Sequence, residues 1–252
     1  MKSILNFSLM LIFWANIISS AVASTFLPNG PLIADINSHP AMAVGLLQWS
    51  LSNESSNCTA FLVSKDILVT ASHCILGDDG KKKSGTLTFY PRWPSTEGAT
   101  VAKVITTGTK VPRSDWKNDW ALLRVPAIGL RYGWFGVRSI NLKFHLNRKN
   151  FHNFGYSAQI DSGNTLTVTN NCQFKGSFSG EFLNDCNLTH GGSGGPIFYE
   201  GTDGRYYVVA IQVAEGAEEY VDAEYSAKTA NYAAPSSSFM GALNSATKHF
   251  AD

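Results

Sequence analysis

Charge of one sign, long apolar runs, closely spaced cysteine pairs and helical periodicity are all scarce in this chain. Twenty basic residues stand against 19 acidic ones, a formal net charge of +1. No surplus is left to neutralise phosphates or an anionic membrane surface, so nucleic acid and lipid are not expected partners. The one basic run, Lys81-Lys82-Lys83, follows Asp78-Asp79-Gly80 and reads as a solvated loop. None of the four cysteines stands in a C-x-x-C pair, and only His73 and Cys74 adjoin, so no metal site is expected and no cofactor is implied. Beyond the N-terminus no stretch approaches the roughly 20 apolar residues needed to cross a bilayer. Internal repeats and low-complexity tracts are absent.

What is present begins with an export signal. Lys2 supplies the positive end, residues 4–18 are mostly apolar, and Ala21-Val22-Ala23 forms a small-x-small cleavage site before Ser24. Asn6 and Asn16 interrupt the apolar stretch and argue against a membrane anchor. The expected product is secreted or periplasmic, with no membrane partner once the signal is removed. Cleavage also removes Lys2, brings the formal charge to zero and leaves 229 residues, enough for one large or two small β domains. An even count of four cysteines in an oxidising compartment implies two disulfides, for which three pairings are open.

Residues 24–40 hold three prolines and read as an N-terminal arm or propeptide. From residue 41 short apolar runs alternate with turn residues. Strands are expected at 43–49, 59–63, 67–71, 87–90, 101–106, 120–125, 166–169, 197–199 and 206–213. Many short strands at near-regular spacing argue an all-β sandwich or barrel. A single helix is expected at about 236–250, N-capped within Ser236-Ser237-Ser238, with Phe239, Leu243, Ala246 and Phe250 on one face. Residues 126–165 are the least readable and would fit a linker between two β units.

Three places carry chemistry. In Gly191-Gly192-Ser193-Gly194-Gly195-Pro196 a serine sits among four glycines, which let its hydroxyl stand exposed while backbone N–H groups converge in front of it. The segments Cys58-Thr59-Ala60-Phe61-Leu62-Val63 and Ile67-Leu68-Val69-Thr70-Ala71-Ser72-His73-Cys74 read as a hairpin. A bridge across its open end would fix the direction of the His73 imidazole. Asp119, at the head of Asp119-Trp120-Ala121-Leu122-Leu123, is placed to orient an imidazole or simply to form a turn.

Thr70-Ala71-Ser72-His73-Cys74, Asn118-Asp119-Trp120-Ala121-Leu122 and the Ser193 hexapeptide together resemble the three catalytic blocks of the trypsin-like, chymotrypsin-fold serine peptidases, in that family's order. Gly155-Tyr156-Ser157 and the compact span from Asp119 to Ser193 look closest to the bacterial branch containing the glutamyl endopeptidases. The resemblance covers about residues 41–250. It implies two antiparallel six-stranded β-barrels (about 41–130 and 145–235) with a C-terminal α-helix, in a peptidase domain spanning 41–252. It assigns His73 as general base, Asp119 as its orienter and Ser193 as nucleophile. The backbone N–H groups of Gly191 and Ser193 would form the oxyanion hole, and the disulfides would be Cys58–Cys74 and Cys172–Cys186. The substrate would be protein or peptide, and the enzyme a monomer.

The pattern also departs from the family. Position 192 is glycine, where enzymes activated by N-terminal cleavage carry an acid. Asn187 stands where trypsin places its specificity acid. Leu188 and Gln212, the latter followed by Val213, replace the Thr and His of the glutamyl branch, so a neutral pocket suited to apolar or small polar side chains is expected. His190 lies near its entrance. Glu215, Glu218, Glu219, Asp222 and Glu224 form an acidic stretch read as a solvated face. The alternative reading is a secreted binding protein on the same fold, with Gly192 misorienting the oxyanion hole.

Overall fold

Runs rich in β-branched and aromatic residues, broken by Gly, Asn, Ser and Pro, favour pleated strands over helix. A computed structural model, which describes residues 23–24, 30–216 and 225–248, arranges them in two large, mainly antiparallel sheets and one short two-stranded pair. The first contains β1 (Val44–Leu51), β2 (Glu54–Leu62), β3 (Ile67–Thr70), β4 (Thr86–Tyr90), β5 (Lys103–Thr107) and β6 (Ala121–Arg124). Their spatial order is β4-β1-β2-β3-β6-β5, with Thr100–Val101 added at the β4 edge. The second contains β7 (Phe151–Gly155), β8 (Thr167–Cys172), β9 (Phe174–Phe178), β10 (Glu181–Asn184), β11 (Pro196–Glu200), β12 (Tyr206–Ala214) and β13 (Asn231–Pro235). Its order is β9-β10-β13-β12-β11-β7-β8. This is the all-β, chymotrypsin-like architecture expected, with further short strands beyond six in each unit. Leu32–Ile33, within the expected arm, pairs with the edge of β8, and Gly136–Val137 runs parallel to β12.

The strand pattern sets where the core lies. β3 is buried along its whole length because β2 and β6 flank it on both sides. β12 is buried on both faces: Val208, Ile211 and Val213 pack into the larger core, while Val209 and Ala210 belong to a smaller one. The larger core joins the two units through aromatic contacts from Phe61 to Phe135 (5.7 Å), Phe135 to Phe198 (5.2 Å) and Phe198 to Phe154 (4.9 Å). The smaller core gathers Phe151, Phe174, Phe182 and Ile197 around Cys172 and Cys186.

Several sequence expectations change in detail. The stretch 126–165 is not linker throughout, since Phe151–Gly155 is an inner strand between β8 and β11. Its His152, Asn153 and closing Gly155 dilute the apolar signal that marks a strand. The expected strand at 101–106 is divided at Ala102: Thr100–Val101 pairs with β4, to which the Ala102 N–H still donates at Leu87, whereas Lys103–Thr107 pairs with β6. At the C-terminus a 3-10 turn at Ser236–Ser238 precedes the helix Met240–Lys248, and the expected serine cap is not made, because the Ser238 hydroxyl donates to the Pro235 carbonyl. Phe239, Leu243 and Ala246 are buried as expected, whereas Phe250 lies outside the described residues. Arg124 ties this helix to the first sheet, donating to Asp66 at 2.5 Å and to the Ala246 carbonyl at 3.4 Å.

The expected export signal lies outside the described residues up to Ala23; the backbone of Ala23–Ser24 pairs with Leu188–Thr189. No described helix is long and apolar enough to cross a membrane.

Both disulfides, Cys58–Cys74 and Cys172–Cys186, are formed. The first closes a loop with a sequence separation of 16. Replacing Cys58 and Cys74 together by serine should cost about 3 kcal/mol of stability, or roughly 6–12 °C in the thermal midpoint. Calorimetry checks it, and an unchanged midpoint contradicts it.

Candidate active site

Antiparallel pairing brings the first two site residues together. Thr70 at the end of β3 faces Ala121 at the start of β6. The chain therefore leaves β3 beside the point where it enters β6. His73 lies in the 3-10 turn Ser72–Cys74 just after β3, and Asp119 closes the turn Trp116–Asn118 just before β6. The Ser72 hydroxyl donates to the Trp120 carbonyl at 2.5 Å and locks the two turns. Asp119 is 1% exposed and grips His73 at two points. Its Oδ1 accepts the His73 backbone N–H at 2.9 Å, and its Oδ2 lies 2.6 Å from Nδ1. With the Asp119 oxygen as acceptor, Nδ1 carries the hydrogen and Nε2 faces away from the carboxylate. The Asp119 turn is braced from the second sheet, where Trp116 packs on Tyr232 at 4.6 Å and the Lys117 N–H donates to buried Glu181 at 3.3 Å.

The serine loop is fixed through its backbone. In a trans peptide the C=O and N–H point in opposite directions, so holding one aims the other. The His190 carbonyl accepts from the Ala158 N–H at 2.8 Å, and the Gly192 carbonyl accepts from Gly195 at 3.0 Å. The N–H groups of Gly191 and Ser193 are turned the other way. Between Gly191 and Gly195, the N–H groups of Gly192, Gly194 and Gly195 are bonded to Thr189, Gln212 and Gly192. Those of Gly191 and Ser193 have no acceptor among the described residues. They are the two donors expected to bind an oxyanion. Gly191 (φ +91°) and Gly194 (φ +82°) hold left-handed angles, and a Cβ would strike the Tyr156 carbonyl at the first and the Thr59 carbonyl at the second.

Ser193 lies beside the histidine turn. Its carbonyl accepts the Thr59 N–H at 2.8 Å and lies 4.0 Å from the Cys74 sulfur. Its hydroxyl makes no hydrogen bond among the described residues, an arrangement common in unliganded sites that tighten with substrate.

The residues expected to form a pocket are placed unevenly. Gln212 is fully buried and does not form an open wall. Its side-chain amide donates to Asn184 at 3.0 Å and accepts from it at 3.3 Å, while its backbone carries Gly194 and Gly195. Asn231 extends this amide network by donating to the Cys186 carbonyl at 2.7 Å. Val213 is core, and the Leu188 side chain lies outside the described residues. His190 is 72% exposed, with Nδ1 3.9 Å from Glu215, which is 17% exposed. Glu218, Glu219, Asp222 and Glu224 lie outside the described residues.

Lys83 corrects the solvated-loop reading of its run. Its ammonium donates to the His73 carbonyl at 3.2 Å and lies 5.7 Å from the Trp49 ring. Burial pulls it below the usual lysine range, with Asp78 opposing. Nothing in a run of three lysines distinguishes the one that folds inward. The side chains of Cys58, His73 and Cys74 are as close together as metal ligands would be, but both sulfurs are committed to a disulfide.

A family model described as Trypsin matches residues 34–234. Solved structures share the fold. A thermostable serine protease from an extremophilic microorganism is 19% identical over 83% of this chain and 99% of its own, with a TM-score of 0.64. The protease Anisep from Arthrobacter nicotinovorans is 18% identical over 82% and 98%, with a TM-score of 0.63. A Glu endopeptidase in complex with MPD is 16% identical over 88% and 98%, with a TM-score of 0.66. No curated protein matches the chain.

Gly194→Ala combines a strained angle with a backbone collision. It should cost roughly 2–4 kcal/mol and abolish reaction of the loop with serine-directed reagents. Thermal unfolding and labelling check it, and a native midpoint with full labelling contradicts it.

Proposed function

Because the chain belongs to the trypsin family and is a serine-type endopeptidase, we propose that His73, Asp119 and Ser193 are its catalytic triad and that it works on protein substrates after export. The observation that carries the triad is the two-point grip of buried Asp119 on His73, which leaves Nε2 free for proton transfer. In this mechanism the Ser193 Oγ attacks the scissile carbonyl as Nε2 takes its proton. Negative charge collects on the carbonyl oxygen and is met by the Gly191 and Ser193 N–H groups. The imidazolium, steadied by Asp119, returns the proton to the leaving amine. Water then enters along the same route and hydrolyses the acyl-enzyme.

The proposed specificity is for uncharged side chains. Asn184, Gln212 and Asn231 form a neutral amide network beneath the nucleophile loop. Among the described residues, His190 and Glu215 lie beside that loop and face one another at 3.9 Å. Export is supported by the N-terminal segment and by two disulfides, which persist in oxidising compartments.

A fluorophosphonate probe should label the folded protein at Ser193, and Ser193→Ala should remove the labelling without unfolding it. Asp119→Asn should lower kcat by about 10⁴ through the wrong imidazole tautomer. Unchanged turnover in either variant contradicts the triad, and a folded wild type that neither labels nor cleaves favours a binding role. A peptide-library digest should show cleavage after uncharged residues, and a dominant preference for Arg, Lys or Glu overturns the neutral pocket.

A further inference from the structure

Thr59 is where the first sheet, the second sheet and the nucleophile loop meet, and it is fully buried. Its carbonyl accepts from the Thr70 hydroxyl at 2.8 Å, just ahead of the histidine turn. Its backbone N–H donates to the Ser193 carbonyl at 2.8 Å. Its hydroxyl is used in both directions, donating to the Gly191 carbonyl at 2.9 Å and accepting the Tyr156 N–H at 2.9 Å. Every polar group of the residue therefore carries part of the site.

Those two hydroxyl bonds join the chain segments whose alignment opens the oxyanion hole. The Gly191 N–H points outward because the Ala158 N–H holds the His190 carbonyl on the opposite side of the same peptide. Ala158 is two residues beyond Tyr156, and Gly191 follows His190. Thr59 thus clamps both partners of that bond, one from each side. The loop has no anchoring side chain of its own next to the nucleophile, because position 192 is glycine and its Cα packs against Gly155.

We propose that the Thr59 hydroxyl is a positioning group for the oxyanion-binding amides, holding the 156–158 and 190–193 segments in the register that leaves the Gly191 N–H open. It touches neither substrate nor reacting atoms and acts only through the loop. The proposal rests on the triad reading, because its kinetic effect requires Ser193 to be the nucleophile.

The test compares Thr59→Val, which keeps the shape and removes the hydroxyl, with Thr59→Ser, which keeps the hydroxyl. Circular dichroism establishes folding, and kcat and KM are measured separately with one peptide substrate. Thr59→Val should lower kcat about 10- to 100-fold, less than the loss of a donor itself, with KM within about twofold. Affinity for a peptide boronate should fall in parallel, and Thr59→Ser should recover to within about threefold of wild type. If the valine variant does not fold, Thr59→Ala against Thr59→Ser makes the same comparison in a roomier site. A folded hydroxyl-free variant with wild-type kcat, or a serine variant as impaired as valine or alanine, overturns the proposal. Ser193→Ala run alongside separates the two readings: if it retains turnover, the triad fails. Amide hydrogen exchange across 188–195 then decides on Thr59, with faster exchange in the hydroxyl-free variant expected and unchanged exchange overturning the role.

Discussion

A carboxylate withdrawn from water persists only where donors reach its oxygens, and Asp119 meets that requirement through the backbone and ring of His73. Burying such an ion costs several kcal/mol, offset here by charge-assisted bonds from the His73 backbone and ring. The exchange works only if the turn after β3 and the turn before β6 stay side by side. The β3–β6 ladder and the Ser72–Trp120 bond impose that, and packing of Trp116 on Tyr232 holds the second turn from the opposite sheet. Imidazole orientation is thus a consequence of sheet register.

The Ser193 loop meets a different problem, that of ordering a chain with few side chains. A glycine-rich loop gains little from side-chain packing and loses much entropy on being ordered. Its order comes from peptide groups bonded into the scaffold: to Gln212 on β12, to Ala158 and to Thr59 on β2. The Gly191 and Ser193 amides are the two left without an acceptor among the described residues. The unusual glycine at position 192 fits this scheme, since both polar groups of that residue are bonded within or next to the loop.

Much of this was legible in the chain. The Ser193 hexapeptide, the two hydrophobic runs around His73 and the strand opened by Asp119 stand out because the nucleophile, base and orienter proposed there would each need a recognisable local setting. Inner strands rich in valine, isoleucine and leucine were readable for the same reason. Phe151–Gly155 was not, because its burial comes from neighbours on both sides and its own composition is mixed. The position of Lys83 was hidden too, since a lysine run carries no mark of which ammonium will find a carbonyl.

By itself, then, the sequence determined the kind of chemistry and the β character of the scaffold, and it set out the proposed triad in order, because these follow from residue types and local pattern. Tertiary structure alone decided that Gln212 serves the loop from below, that Lys83 turns inward, and that Thr59 bonds to Gly191 across 132 residues of chain. Hydrogen bonds between distant segments depend on how two sheets pack, and no local spacing records that geometry.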